Sequence, residues 1–244
     1  MNYATKLRVI TMVSLLGVSS IGLVQAADTP IVSTGGTAYN IGIPGDSNFT
    51  NSDNVSLGGQ AGTSNGNPYQ KPNDPNAKGN NIAIGRISLN GSSGGANVAL
   101  GSKTFLNGKG DYNFLGNFAA GFNSTISNTI AIGSFAGSGA TGNKNVWLGT
   151  GQAGGSKGNN TVLIGSNSNV NGDFNYGMGH GVIFEGNKNS AIGAYNKIEG
   201  NQSGAFGVGT YNVATVKGDN SYSVGNNNRV NANNTFVMGN NVTT

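Results

Sequence analysis

The amino-acid sequence predicts an all-β fold, a parallel β-roll solenoid of about 13 short coils with two strands in each coil. Three observations predict it. Glycines that close small apolar runs recur at a nearly constant interval, and the residues before them alternate in steps of two. The composition, rich in glycine and poor in charge, fits neither a disordered chain nor a collagen-like one.

The marker glycines are Gly42, Gly58, Gly85, Gly101, Gly116, Gly133, Gly149, Gly165, Gly179, Gly193, Gly207, Gly225 and Gly239. Their steps are 16, 27, 16, 15, 17, 16, 16, 14, 14, 14, 18 and 14 residues. Repeats this short and this regular mark a solenoid whose rungs stack on near-identical neighbours. From Leu57 onward, the residue before each marker is large and apolar. The residue two earlier is apolar as well, except at Asn113, Ser190 and Gly204. One position further back stands Asn, Ser or Thr, except at Tyr112. Apolar positions two apart give a strand with one buried face. This reading turns the apolar pair inward and the residue between them outward, including Ala83, Phe114, Trp147 and Leu163.

A coil of about 15 residues is too short for a strand and a helix but suits two short strands and two turns. The second strand shows in the 14-residue coils, where Val170, Phe184, Ile198 and Val230 follow their markers by five residues. Gly172, Gly186, Gly200 and Ala232 follow by seven, so each coil is two half-turns. The 18-residue step is 14 + 4, with the extra residues inside Tyr211 to Gly218. The 27-residue step holds Pro68, Pro72 and Pro75, which cannot donate to a ladder, so residues 63–80 read as a projecting loop. Tyr69, Lys71 and Asp74 make that loop a candidate contact. Glycine and asparagine suit the corners because they tolerate positive φ. Asparagines stacked in register are expected to bond along the solenoid as a ladder.

Residues 1–26 read as a signal peptide. Lys6 and Arg8 precede the apolar stretch Val9 to Val24, and Ala26 closes a small-residue cleavage site. Those 16 apolar-biased residues fall short of the ~20 that a membrane helix needs. Residues 27–244 form the repeat domain, and the expected location is outside the cell membrane. Without Lys6 and Arg8 the charge is 13 − 2 = 11 basic against 9 acidic residues. The basic residues are scattered, which argues against nucleic acid as a partner. No cysteine is present, so no disulfide framework supplies stability. With 43 glycines and 9% charged residues, the chain is neither charge-swollen nor an every-third-glycine triple helix.

Chemistry-bearing patterns are sparse. His180 is the only histidine and, without cysteine, a zinc site is not expected; a corner or surface position is. Asp111, Asp173 and Asp219 read as out of register, which argues against a calcium-binding roll. Glycine-rich phrases such as Gly149 to Gly154 arise by chance in this composition and lack a surrounding βαβ unit. The expectation is a protein with no catalytic, cofactor-binding or metal residues, and not an enzyme. A coil that buries about three aliphatic side chains gains ~1.5–3 kcal/mol from each. It orders about fifteen residues at ~1–2 kcal/mol of backbone entropy apiece. The deficit predicts packing against further copies, with Phe114, Trp147 and Leu163 at the interface.

The phrases NIAIG at 81–85, NTIAIG at 128–133 and NSAIG at 189–193, with the stretch 203–244, resemble the head repeats of trimeric autotransporter adhesins, the YadA-like family. The resemblance implies a left-handed roll and a side-by-side homotrimer on the cell surface or outer membrane of a Gram-negative bacterium. It implies a host extracellular-matrix or cell-surface ligand, and self-agglutination. The outer membrane would be reached only through a stalk and C-terminal anchor, neither of which precedes Thr244. Most coils before Gly165 depart from the family in being longer, with an added Ala-Gly. The functional expectation is a non-catalytic adhesin head. Competing readings are an ice-binding solenoid, for which Thr129, Thr161 and Thr235 form an interrupted column, a fibre-type structural segment, and a β-helical polysaccharide enzyme.

Overall fold

A computed structural model describes residues 31–35, 38–42, 55–58, 61, 81–211 and 213–244. The expected signal peptide, 1–26, and the proline-rich loop, 63–80, lie outside the described residues. Among those described there is no helix, and the chain winds as a parallel β-solenoid of about eleven turns. The first two registers, at Gly42 and Gly58, fall where the coils are only partly described. The main wall is a 14-stranded sheet. It opens with an antiparallel pair that the repeat pattern does not announce: β1 (Ile31–Gly35) runs against β2 (Ala38–Gly42) with Ile31 opposite Gly42. From β2 onward every pairing is parallel, rung on rung, down to Tyr222–Val224 and Phe236–Met238.

The second wall is narrower. Its best-formed part is a three-stranded sheet of Asn169–Val170, Ile183–Phe184 and Lys197–Ile198, extended by bridges from Ile198 to Val216 and from Val216 to Val230. Val170, Phe184, Ile198 and Val230 are buried there, as the half-turn pattern predicts. In the longer coils it is carried by Thr125–Ser127 and Thr141–Asn143. Those coils bury a column of Ser88, Thr104, Ala120, Ala136 and Gln152, which continues into the shorter coils as Ser168 and Val182.

The register is more regular than the glycines alone suggest. Val98 pairs with Phe114, and Phe114 with Ile130. The marker position in that coil is therefore Asn117, at φ 82°, and not Gly116. The steps of 15 and 17 become 117 − 101 = 16 and 133 − 117 = 16. Two exceptions vanish with this shift, because Asn113 now joins the Asn, Ser and Thr column and Phe114 the apolar one.

The inward and outward faces of the main sheet are the reverse of the expectation. The residue between the apolar pair is the buried one: Ala83, Ala99, Leu115, Ala131, Trp147, Leu163, Ala191 and Ala205 are fully buried. The flanking apolar residues point outward, with Ile130 41% and Ile192 53% exposed. Thickness is the physical reason. A roll of two short strands leaves little space between its walls, so a small residue on one wall meets a large one on the other. A Cβ on Gly177 would stand 2.9 Å from Phe184 Cε2 and 2.9 Å from Leu163 Cδ2. Trp147 fits because Gly137 lies beneath it, where a Cβ would come within 2.6 Å of the ring. Its indole Nε1–H donates to Thr161 Oγ1 at 3.2 Å inside the roll.

Trp147 is the only tryptophan, so its fluorescence reports this arrangement directly. The native protein is expected to emit at short wavelength and to resist acrylamide quenching, with both properties lost on unfolding. Trp147→Ala should cost about 3–5 kcal/mol of stability. Quenching of the native protein as efficient as that of the denatured chain would return Trp147 to the surface.

Candidate interaction surface

The outer face of the main sheet is the largest unusual feature of the molecule. Between Ile82–Ile84 and Phe236–Met238 the rungs present outward positions on either side of the buried residue, and nearly all of these are apolar. They run from Ile82 and Ile84, through Ile130 and Ile132, to Tyr176 and Met178 and finally Phe236 and Met238. Met178 is 50% and Met238 71% exposed. Eleven rungs at ~4.8 Å make a strip about 50 Å long. The outer column of the second wall is polar by contrast: Lys109, Thr125, Thr141, Lys157, Asn171, Glu185, Glu199 and Lys217. An alternating strand with one buried face normally leaves its other face polar. Here one wall obeys that rule and the other breaks it along most of its described length, and a contiguous apolar strip of this kind is a candidate interaction surface.

Polar ladders hold the rungs in line beside this face. Asn81 Oδ1 accepts from the Asn97 N–H at 2.9 Å, Asn97 Oδ1 from the Asn113 N–H at 3.1 Å, and Asn113 Oδ1 from the Thr129 N–H at 3.1 Å. The column continues through Asn145, Thr161, Asn175 and Asn189 to Ser203. Asparagine Nδ2 groups also donate across the coil, as Asn145 does to the Gly158 carbonyl at 2.9 Å. The expected asparagine ladder thus exists, and it is buried. Thr129 and Thr161 stand inside it, fully used, so the threonine column does not form the open face that an ice-binding surface requires.

A second ladder runs along the surface and corrects the reading of the aspartates. Asn159 donates to Asp173 Oδ1, Asp173 N–H to Asn187 Oδ1, Asn187 N–H to Asn201 Oδ1, and Asn201 N–H to Asp219 Oδ1, at 2.7–2.9 Å. Asp111 occupies the same column in an earlier coil, where its Oδ1 accepts from the Gly95 N–H at 2.8 Å and its N–H donates to Ser127 Oγ at 3.1 Å. The three aspartates are in register with one another. They serve as rung connectors that receive backbone N–H groups.

His180 sits half-buried at the end of the strand Tyr176–His180. Its Nδ1 lies 2.7 Å from Ser166 Oγ, and its ring packs edge-on against Tyr195 at 5.1 Å. No group of three His, Asp or Glu side chains able to hold a metal exists among the described residues. On the second wall Lys197 bridges Glu199 at 2.9 Å and Glu185 at 3.2 Å. The hydrogen bond to Glu199 is the largest influence holding its ammonium above the usual lysine range, partly opposed by burial. Phe114 lies on the exposed apolar strip, whereas Trp147 and Leu163, expected beside it at the interface, fill the interior. Tyr69, Lys71 and Asp74 lie outside the described residues. The apolar strip escapes a reading of the sequence although its signal is present there: alanine or glycine between the pair, opposite Phe184 or Ile198 on the facing wall.

The chain matches no protein-family model, and no curated protein matches it.

Proposed function

We propose that the chain is the non-catalytic head of a surface adhesin and works as a side-by-side homotrimer of left-handed rolls. The observation that carries the reading is the long apolar strip on the outer face of the main sheet, set against a second wall whose outer column is polar. Water contact along about 50 Å of Ile, Leu, Met, Tyr and Phe is costly. Packing the strip against copies around an axis removes that cost and adds no open edge. The likeness of residues 81–85, 128–133 and 189–193 to trimeric adhesin head repeats points the same way, and it suggests a host-matrix or cell-surface ligand, self-agglutination and export to a Gram-negative surface. A long surface of near-identical rungs suits many weak contacts multiplied by avidity.

Light scattering coupled to size-exclusion chromatography tests the reading. The purified protein is expected to run at three chain masses. Replacing Met178 and Ile192, neighbours on successive rungs, by lysine places charge in the strip and should yield a folded β-rich monomer. A wild-type monomer that stays soluble and folded would sink the trimeric reading.

A further inference from the structure

We propose that the groove at the corner of the 14-residue coils, lined by Asp173, Phe174, Asn187, Lys188, Asn201 and Gln202, binds a carboxylated pyranose, a sugar of the uronic-acid type. The groove is an open surface depression of about 430 Å³. It is built by the repeat itself. Phe174, Lys188 and Gln202 fall at the same corner of three successive coils, with φ of 59°, 58° and 55°. All three are exposed, Phe174 by 44%. Rungs ~4.8 Å apart set them over about 10 Å, long enough to hold a substituted sugar ring between the outer two. Beside them the ladder of Asp173, Asn187 and Asn201 forms a rigid wall, its amides and one carboxylate oxygen fixed by bonds of 2.7–3.2 Å.

The chemistry of this lining selects the ligand. Phe174, 44% exposed, offers apolar surface to a patch of C–H groups. Lys188 is an ammonium outside every ion pair among the described residues, and it suits a single carboxylate. Gln202 and Asp173, both in the lining, supply an amide and a carboxylate that suit hydroxyl groups. A purely apolar ligand would strand the amide wall. A phosphate monoester, with a charge of about −1.5 to −2, would outweigh the one lysine beside Asp173, whereas a carboxylate brings a single charge. One negative charge, several hydroxyls and one apolar face together describe a carboxylated pyranose.

The inference deepens the reading of the protein as a binding solenoid and rests on it. Saturation-transfer NMR on the full chain, with sodium glucuronate, glucose and acetate as probes, tests it. Ring-proton signals are expected from glucuronate, with glucose binding about tenfold more weakly and acetate giving no signal. Phe174→Ala should abolish saturation of the ring protons. Lys188→Met should weaken glucuronate about tenfold and leave glucose unchanged. Both variants should keep the wild-type mass and melting temperature. The proposal fails if wild type gives no glucuronate signal, or if both variants bind glucuronate as wild type does. It also fails if either variant changes the mass in solution, because the groove is then an interface between copies. A trimer that gives no sugar signal removes this site and leaves the adhesin reading standing; a sugar-binding monomer does the reverse.

Discussion

Gly149→Ala is expected to destabilise the solenoid by about 4 kcal/mol or more, among the largest effects of any single methyl group in this chain. Gly149 sits at φ 121°, a region that side chains rarely enter. Strain of that kind costs about 1–3 kcal/mol by itself. The added Cβ would also fall onto the carbonyl of Gly165, the equivalent residue one coil on. Relief requires the two coils to part, which breaks the ladder bonds between Val146–Leu148 and Val162–Ser166. Thermal and urea unfolding followed by circular dichroism, at fixed protein concentration, measures the loss. Gly154→Ala is the matched control, since a Cβ there meets nothing within 4 Å. It should change stability by less than about 1 kcal/mol. Equal losses in the two variants would show that the marker glycines are not close-approach positions.

Asn189→Ala is expected to cost about 2–6 kcal/mol, because it leaves two buried backbone groups without partners at about 1–3 kcal/mol each. Asn189 Oδ1 accepts from the Ser203 N–H at 2.9 Å, and its Nδ2 donates to the Gly200 carbonyl at 2.8 Å. Both bonds are buried. The chain itself shows which substitution should rescue: Ser203 Oγ accepts from the Ser221 N–H at 3.1 Å and donates to the Gly218 carbonyl at 2.8 Å. Asn189→Ser should therefore recover most of the loss. Asn187→Ala, in the exposed ladder, should cost less than about 1 kcal/mol, because water takes over its bonds. Hydrogen exchange at the Ser203 amide should speed up in Asn189→Ala and stay near wild type in Asn189→Ser. An alanine variant as stable as the serine variant would mean that the buried ladder contributes little.

These two residues also show why some of the fold is legible in the sequence and some is not. The repeat of Gly149 and Gly165 is visible as a spacing, and the reason for it is local: a backbone that touches its own copy admits no side chain. The column of Asn189 is visible as an Asn, Ser or Thr before each apolar pair. Which wall residues face inward is a different kind of fact. Alternation says that Ala131 and its neighbours Ile130 and Ile132 take opposite sides; it does not say which side is inside. Size alone assigns the large residues to the core, and the facing wall reverses that choice. The same limit hides the register of Asp111, Asp173 and Asp219, because the spacing becomes even only with Asn117 in the marker column. It hides the groove too. Phe174, Lys188 and Gln202 share a 14-residue spacing but no residue type, so nothing in them taken singly marks a site.

The sequence by itself determined the all-β repeat, its 14-residue coils from Gly165 to Gly207, the second-wall positions at Val170, Phe184, Ile198 and Val230, and the existence of an asparagine ladder. Each follows from interactions between a residue and its own copy one coil away, and a period carries that information. Only the tertiary structure decided the direction of the main sheet's faces, the antiparallel opening pair and the grouping of side chains at one corner. Those depend on contacts between different positions of the coil, where the distance between the walls sets what fits: glycine against phenylalanine inside, and isoleucine and methionine left on the surface.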